Sequence, residues 1–63
     1  MAQLPEAPAR LLLTVPEAAA ALALGRSTVY ELIQRGHLPV VHIGRAVRVR
    51  IADLERWTKE LGQ

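Results

Sequence analysis

The stretch VVHIGRAVRVRI, Val40 to Ile51, constrains the fold most. It is rich in β-branched residues, alternates in polarity and is broken by one glycine, Gly44, which makes it a β-hairpin. On either side the apolar residues recur at helical spacing instead. A chain whose period changes from helix to strand and back must pack helices against a small antiparallel ribbon, and the expected class is therefore α+β.

Two hairpin registers compete. A two-residue Gly44-Arg45 turn places Val41 opposite Arg48 and mixes an arginine into an apolar face. A three-residue tip, Gly44 to Ala46, pairs Ile43 with Val47, Val41 with Val49 and His42 with Arg48. The second is predicted, because it collects Val41, Ile43, Val47 and Val49 on a core face and leaves His42, Arg48 and Arg50 on the other. Its weak point is the glycine, which in such loops usually stands last and not first.

Upstream, Thr14 followed by Glu17 is a capping-box signature, and Pro16 is tolerated in a first turn, so a helix is expected from about Val15. Leu13 can staple onto Ala18, and Val15, Ala18, Ala19 and Leu22 share one face. The run Val29, Leu32 and Ile33 marks a second, short helix that ends at Gly36 in a left-handed cap. With that side inward, Ser27, Glu31 and Gln34 point outward, flanked by Tyr30 and Arg35. Beyond the hairpin, Ile51, Leu54, Trp57 and Leu61 define a C-terminal helix, with Asp53 in its first turn and Lys59 in its last, both suited to the helix dipole.

The domain expected from these elements spans residues 11–63, preceded by a flexible tail, residues 1–10, whose Pro5 and Pro8 interrupt any periodicity. Sixty-three residues form one thin core, burying about 60% of the surface the unfolded chain exposes. No cysteine is present to supplement it. The N-terminus has no signal-peptide character, and the apolar run Leu11–Leu13 is too short to span a membrane, so a soluble cytoplasmic protein is expected.

The net charge of +2 is small but unevenly spread. From Arg26 to Arg50 five arginines stand against Glu31 alone, whereas the flanks are net acidic. By composition alone an ordinary solvated surface and a polyanion-binding one are equally good readings. Order and spacing favour the latter: two short helices, a tight turn and an arginine-tipped hairpin suit duplex DNA. The second helix would enter the major groove, with Arg26 and the helix N-terminus on a phosphate and Ser27, Thr28 and Glu31 near bases or sugars. Glu31 weakens general attraction, but it can accept from a cytosine amino group and add selectivity. Tyr30 is equally suited to bracing the turn and to giving its hydroxyl to a phosphate. Arg45 at the hairpin tip would enter a narrow minor groove, and His42, Arg48 and Arg50 would meet phosphates.

The pieces LTVPEAA, STVYELI, G-H-L-P, IGRAVR and ADLERW follow one another from Leu12 to Trp57. In that order they resemble the small winged helix-turn-helix proteins of the excisionase type, distantly similar to MerR-like DNA-binding domains. The resemblance implies two N-terminal helices, a β-hairpin wing and a C-terminal helix. It also implies a recombination directionality factor that binds and bends attachment-site DNA and directs a phage or mobile-element integrase, a tyrosine or serine recombinase, toward excision. Cooperative self-association on DNA would accompany that role. Related sequences serve instead as small transcription regulators of prophage or mobile-element genes. Two departures stand out: Ala23, Leu24 and Gly25 occupy a turn that in the family usually reads glycine, small apolar, serine, and Glu31 sits where the family is often basic.

Other chemistries find little footing. Trp57 is read as packing against the hairpin. His37 and His42 have no companion carboxylate or cysteine cluster, so no metal is expected. Ser27 lacks a base, and neither paired carboxylates nor a phosphate-cradling glycine loop occurs, so neither catalysis, nor a cofactor, nor a small-molecule substrate is expected.

Overall fold

The computed structural model describes residues 10–62. Most of the proposed tail, residues 1–9, therefore lies outside the described residues. Arg10 is described, and its guanidinium pairs with the carboxylate of Glu17.

The element order is β1 (Leu12–Leu13), α1 (Val15–Leu22), α2 (Arg26–Gln34), β2 (Val41–Ile43), β3 (Ala46–Arg50) and α3 (Ile51–Leu61). The fold is a small α+β winged helix-turn-helix in which β2 and β3 form the wing. Leu12–Leu13, expected only to precede the first helix, form a short strand that turns the hairpin into a three-stranded antiparallel sheet of order β1-β3-β2. Leu12 lies opposite Arg50 and Leu13 opposite Val49. The Ile51 N–H donates to the Leu11 carbonyl at 3.1 Å, which ties this strand to the start of α3.

Local chemistry explains three of the helix boundaries. Helix α1 opens with a complete capping box: the Glu17 N–H donates to Thr14 Oγ1 at 3.1 Å and the Thr14 N–H to Glu17 Oε1 at 2.9 Å. These bonds satisfy donors that the first turn cannot satisfy internally. The helix ends at Ala23, which takes the left-handed conformation (φ 59°, ψ 39°). There the Ala23 N–H reaches the Ala20 carbonyl and the Leu24 N–H the Ala19 carbonyl, a Schellman closure with alanine where glycine is usual. Helix α2 closes in the same way at Gly36 (φ 80°), the His37 N–H donating to the Leu32 carbonyl at 2.9 Å.

The hairpin adopts the register that was not predicted. Val41 lies opposite Arg48, His42 opposite Val47 and Ile43 opposite Ala46. Gly44 and Arg45 form a two-residue turn in which Gly44 has φ 60° and Arg45 a negative φ. Glycine at the first central position is the demand of a type II′ turn, whose twist matches that of the strands it joins. Turn chemistry thus outranks the neat apolar face. Val41 and Ile43 share the outer face with Arg48 and Arg50, while His42 lies on the same face as Val47 and Val49 and not with the arginines.

The core consists of Val15, Ala18, Ala19, Val29, Leu38, Val49 and Leu54. Leu13, Leu22, Leu32, Ile33, Val40, Val47 and Trp57 pack around it. The small alanines of α1 let α2 and β3 both approach that helix closely. Leu38, on the loop that leads into the wing, is only 1% exposed and was not anticipated as a core residue.

Candidate nucleic-acid interface

The site is built outward from Val29, which is fully buried and fixes the rotation of α2. With Leu32 and Ile33 half-buried beside it, Arg26, Ser27, Thr28, Tyr30, Glu31, Gln34 and Arg35 are all exposed. Tyr30 is 50% exposed, so about half of the residue remains open to solvent.

Gly25 occupies the N-cap with extended backbone and offers no side-chain acceptor. The first helical bond of α2 is from the Val29 N–H to the Gly25 carbonyl. The N–H groups of the turn before it are therefore left for solvent or an anion, and the helix dipole favours negative charge there. Arg26 stands at the same end. Phosphate is the natural ligand of such an arrangement.

The wing presents its cations in three directions. Arg45 is exposed at the turn. His42 is exposed on the face shared with Val47. Arg48 and Arg50 occupy the outer face. Arg48 is half-buried and donates to the Val47 carbonyl at 2.9 Å, lying back along its own strand. Arg50 comes within 3.7 Å of Asp53. Among the described residues no ion pair engages Arg26, Arg35, Arg45 or Arg48, so these guanidinium groups have no internal partner charge to lose on meeting a polyanion.

Asp53 does more than complement the dipole of α3: it is buried, with one oxygen accepting from Arg56 at 2.6 Å and the other without a hydrogen bond. It thus lies between Arg50 on one side and Arg56 on the other. The three-residue spacing on both sides was the available signal. Glu17 is the carboxylate held below its ordinary range, first by the Thr14 backbone N–H and next by the Arg10 guanidinium.

Wing, tight inter-helix turn and outward polar helix define a DNA-binding domain of the winged helix-turn-helix class. Residues 12–62 match the family described as "Helix-turn-helix domain", and the chain belongs to it. It is 50% identical over 54 residues to "Probable excisionase" of Saccharopolyspora erythraea, covering 86% of this chain and 55% of that protein. It is also 50% identical over 38 residues to "Putative DNA-binding protein Rv0500A" of Mycobacterium tuberculosis, covering 60% of this chain and 49% of the relative. A third relative, "Uncharacterized protein YvgK" of Bacillus subtilis, is 41% identical over 44 residues, which are 70% of this chain and 14% of that one. The chain spans about half the length of the first relatives it matches. No solved structure matches. The family is a DNA-binding class and not an enzyme class. Among the described residues no helix is long and apolar enough to cross a membrane.

Proposed function

We propose that this chain is an excisionase-like architectural factor that binds and bends attachment-site DNA and directs a phage or mobile-element integrase toward excision. The observation that carries the reading is the 50% identity to "Probable excisionase" over 86% of the chain, which takes in both helices of the motif and the wing. The exposed groups of α2 and the arginines without ion-pair partners fit the same reading.

In this mechanism Arg26 and the open N-terminus of α2 hold a phosphate and set the register of the helix. Ser27, Thr28 and Glu31 meet base edges in the major groove, while Tyr30, Gln34 and Arg35 reach the flanking backbone. Arg45 enters the adjacent minor groove, where narrowing concentrates negative potential. His42, Arg48 and Arg50 serve as phosphate contacts, the latter two after leaving the Val47 carbonyl and Asp53. Several copies on phased sites curve the DNA and present a surface to a tyrosine or serine recombinase, in the cytoplasm where that DNA resides.

Excision in vitro with attachment-site DNA and the cognate integrase tests the role. The protein should shift the reaction toward excision, and a functional integrase that ignores it sinks the proposal. A relative named only as a DNA-binding protein fits equally well a second reading, a small transcription regulator of prophage or mobile-element genes. Footprints confined to a promoter, with no effect on recombination, would select it.

A further inference from the structure

We infer that Ile43 is a further DNA-contacting residue of the wing, an apolar wedge that enters the minor groove beside Arg45 and loosens one base step. The inference rests on the reading that the wing meets DNA, and it goes beyond that reading by assigning bending to one side chain.

The register carries the argument. Had the hairpin closed with a three-residue tip, Ile43 would face the core. The two-residue turn sends it to the outer face, paired with Ala46 and 59% exposed, immediately before Gly44 and Arg45. Neither Ile43, Val41 nor Ala46 belongs to the core or to the apolar residues packed against it. An exposed isoleucine on an edge strand is a liability, since exposed edges are usually blunted by charge or proline. Gly44 has no side chain and nothing crowds it, so the ribbon narrows between Ile43 and Arg45. The end of the wing therefore combines a cation with a branched apolar side chain on a thin, hydrogen-bonded ribbon.

Proteins that kink DNA from the minor groove use this pairing: arginine reads the width and potential of the groove, and an apolar side chain inserts between bases. Pyrimidine–purine steps such as TA unstack most easily and are the preferred site. Ile43 is too far from the core for a polar substitution there to disturb packing, so the effect on DNA is separable from folding.

The experiment uses short duplexes in which one TA step lies between A-tracts and 2-aminopurine replaces its adenine. Binding is followed by gel shift, unstacking by 2-aminopurine fluorescence and bending by end-to-end energy transfer. The wild-type chain should brighten the probe and shorten the end-to-end distance. Ile43→Thr, which keeps the β-branch but adds a hydroxyl, should abolish both changes. Its affinity should change by less than about tenfold, because the lost contact is offset by the unstacking no longer required. Ile43→Val should retain the effect, and Val41→Thr, on the same face but farther from the turn, should leave it intact. Wild-type binding without brightening, or equal brightening by Ile43→Thr, overturns the wedge and leaves the DNA-binding reading standing. Failure of the wild type to shift any duplex overturns the reading, and the wedge with it.

Discussion

Helix α2 and the wing are assigned to the same DNA, yet the molecule holds them in different ways. Helix α2 is pinned along its length by Val29, Leu32 and Ile33 and closed at its end by the Gly36 cap. The wing is anchored on one strand: Val49 of β3 is fully buried, whereas no residue of β2 is. A rigid helix suits base readout, which needs donors and acceptors held to a fraction of an ångström. A ribbon anchored at its base and free at its tip can follow the contour of a groove and take part in bending. On the proposed function, the surface offered to DNA would divide into a reading part, α2, and a deforming part, the wing.

The sharpest way to break this comparison is to test the anchor itself. Leu38→Ala removes a fully buried side chain from the loop that leads into the wing, and it should cost about 2–5 kcal/mol. In so small a domain that loss removes most of the stability. Val41→Ala, half-buried on the outer face, should cost less than about 1 kcal/mol. Chemical denaturation of both variants decides the point. If Val41→Ala matches the cost of Leu38→Ala, the wing lies on the core in the other register.

This pair of residues also shows where the sequence was legible. Helix faces follow from an angle of about 100° per residue, a local rule, so the outward set from Arg26 to Arg35 could be read directly. A hairpin obeys a period of two, and one residue of slip exchanges its faces. Its register was therefore decided at Gly44, where a type II′ turn wants glycine first, and not by the tidy set of valines. The strand Leu12–Leu13 and the burial of Leu38 escaped for another reason: both depend on distant partners, Val49 and Arg50 for the strand and the assembled core for the leucine. Among the candidate site residues, the shared outward face of the α2 set follows from the sequence, whereas the wing set divides, since His42 lies on one side of the ribbon and Arg48 and Arg50 on the other.

The next test sharpens the division between reading and deforming. Ser27→Ala or Glu31→Ala should alter preference at a footprinted base by about 1–3 kcal/mol while leaving the bend unchanged. Arg45→Ala should do the reverse, weakening binding to curved or narrow-groove sites more than to arbitrary duplex. Selection of randomised duplexes by each variant, scored beside the bend, separates the two. If all three variants lose affinity uniformly across sequences, both elements make only phosphate contacts.

A smaller effect is expected at the start of α1, the helix on which α2 and β3 both rest. Thr14→Ala removes the acceptor for the Glu17 N–H and should cost about 1 kcal/mol. The partner carboxylate predicts a pH dependence. Glu17 titrates below its ordinary value in the folded state, so its contribution is present at neutral pH and is lost as pH falls through the folded-state pKa. Glu17→Gln should therefore flatten the acid limb of the stability curve. An unchanged acid limb would show that the Glu17 carboxylate contributes nothing measurable to the capping box in solution.

The smallest effect falls at the turn between the two helices, where Ala23 holds a left-handed conformation that glycine adopts freely. An L-residue with a Cβ is strained there by roughly 1–2 kcal/mol. Glycine removes that strain but loses more freedom on folding, by about 0.5–1 kcal/mol. Ala23→Gly should thus stabilise the domain by about 0–1.5 kcal/mol, the difference of those two contributions. Its exposed position leaves no packing to confuse the result. Because the turn sets the angle at which α2 leaves α1, the same variant should keep base preference intact if the left-handed geometry is retained. A loss of stability on adding glycine would mean that the turn is closed by something other than the Schellman bonds to Ala19 and Ala20, and that the rigidity ascribed to α2 has a different source.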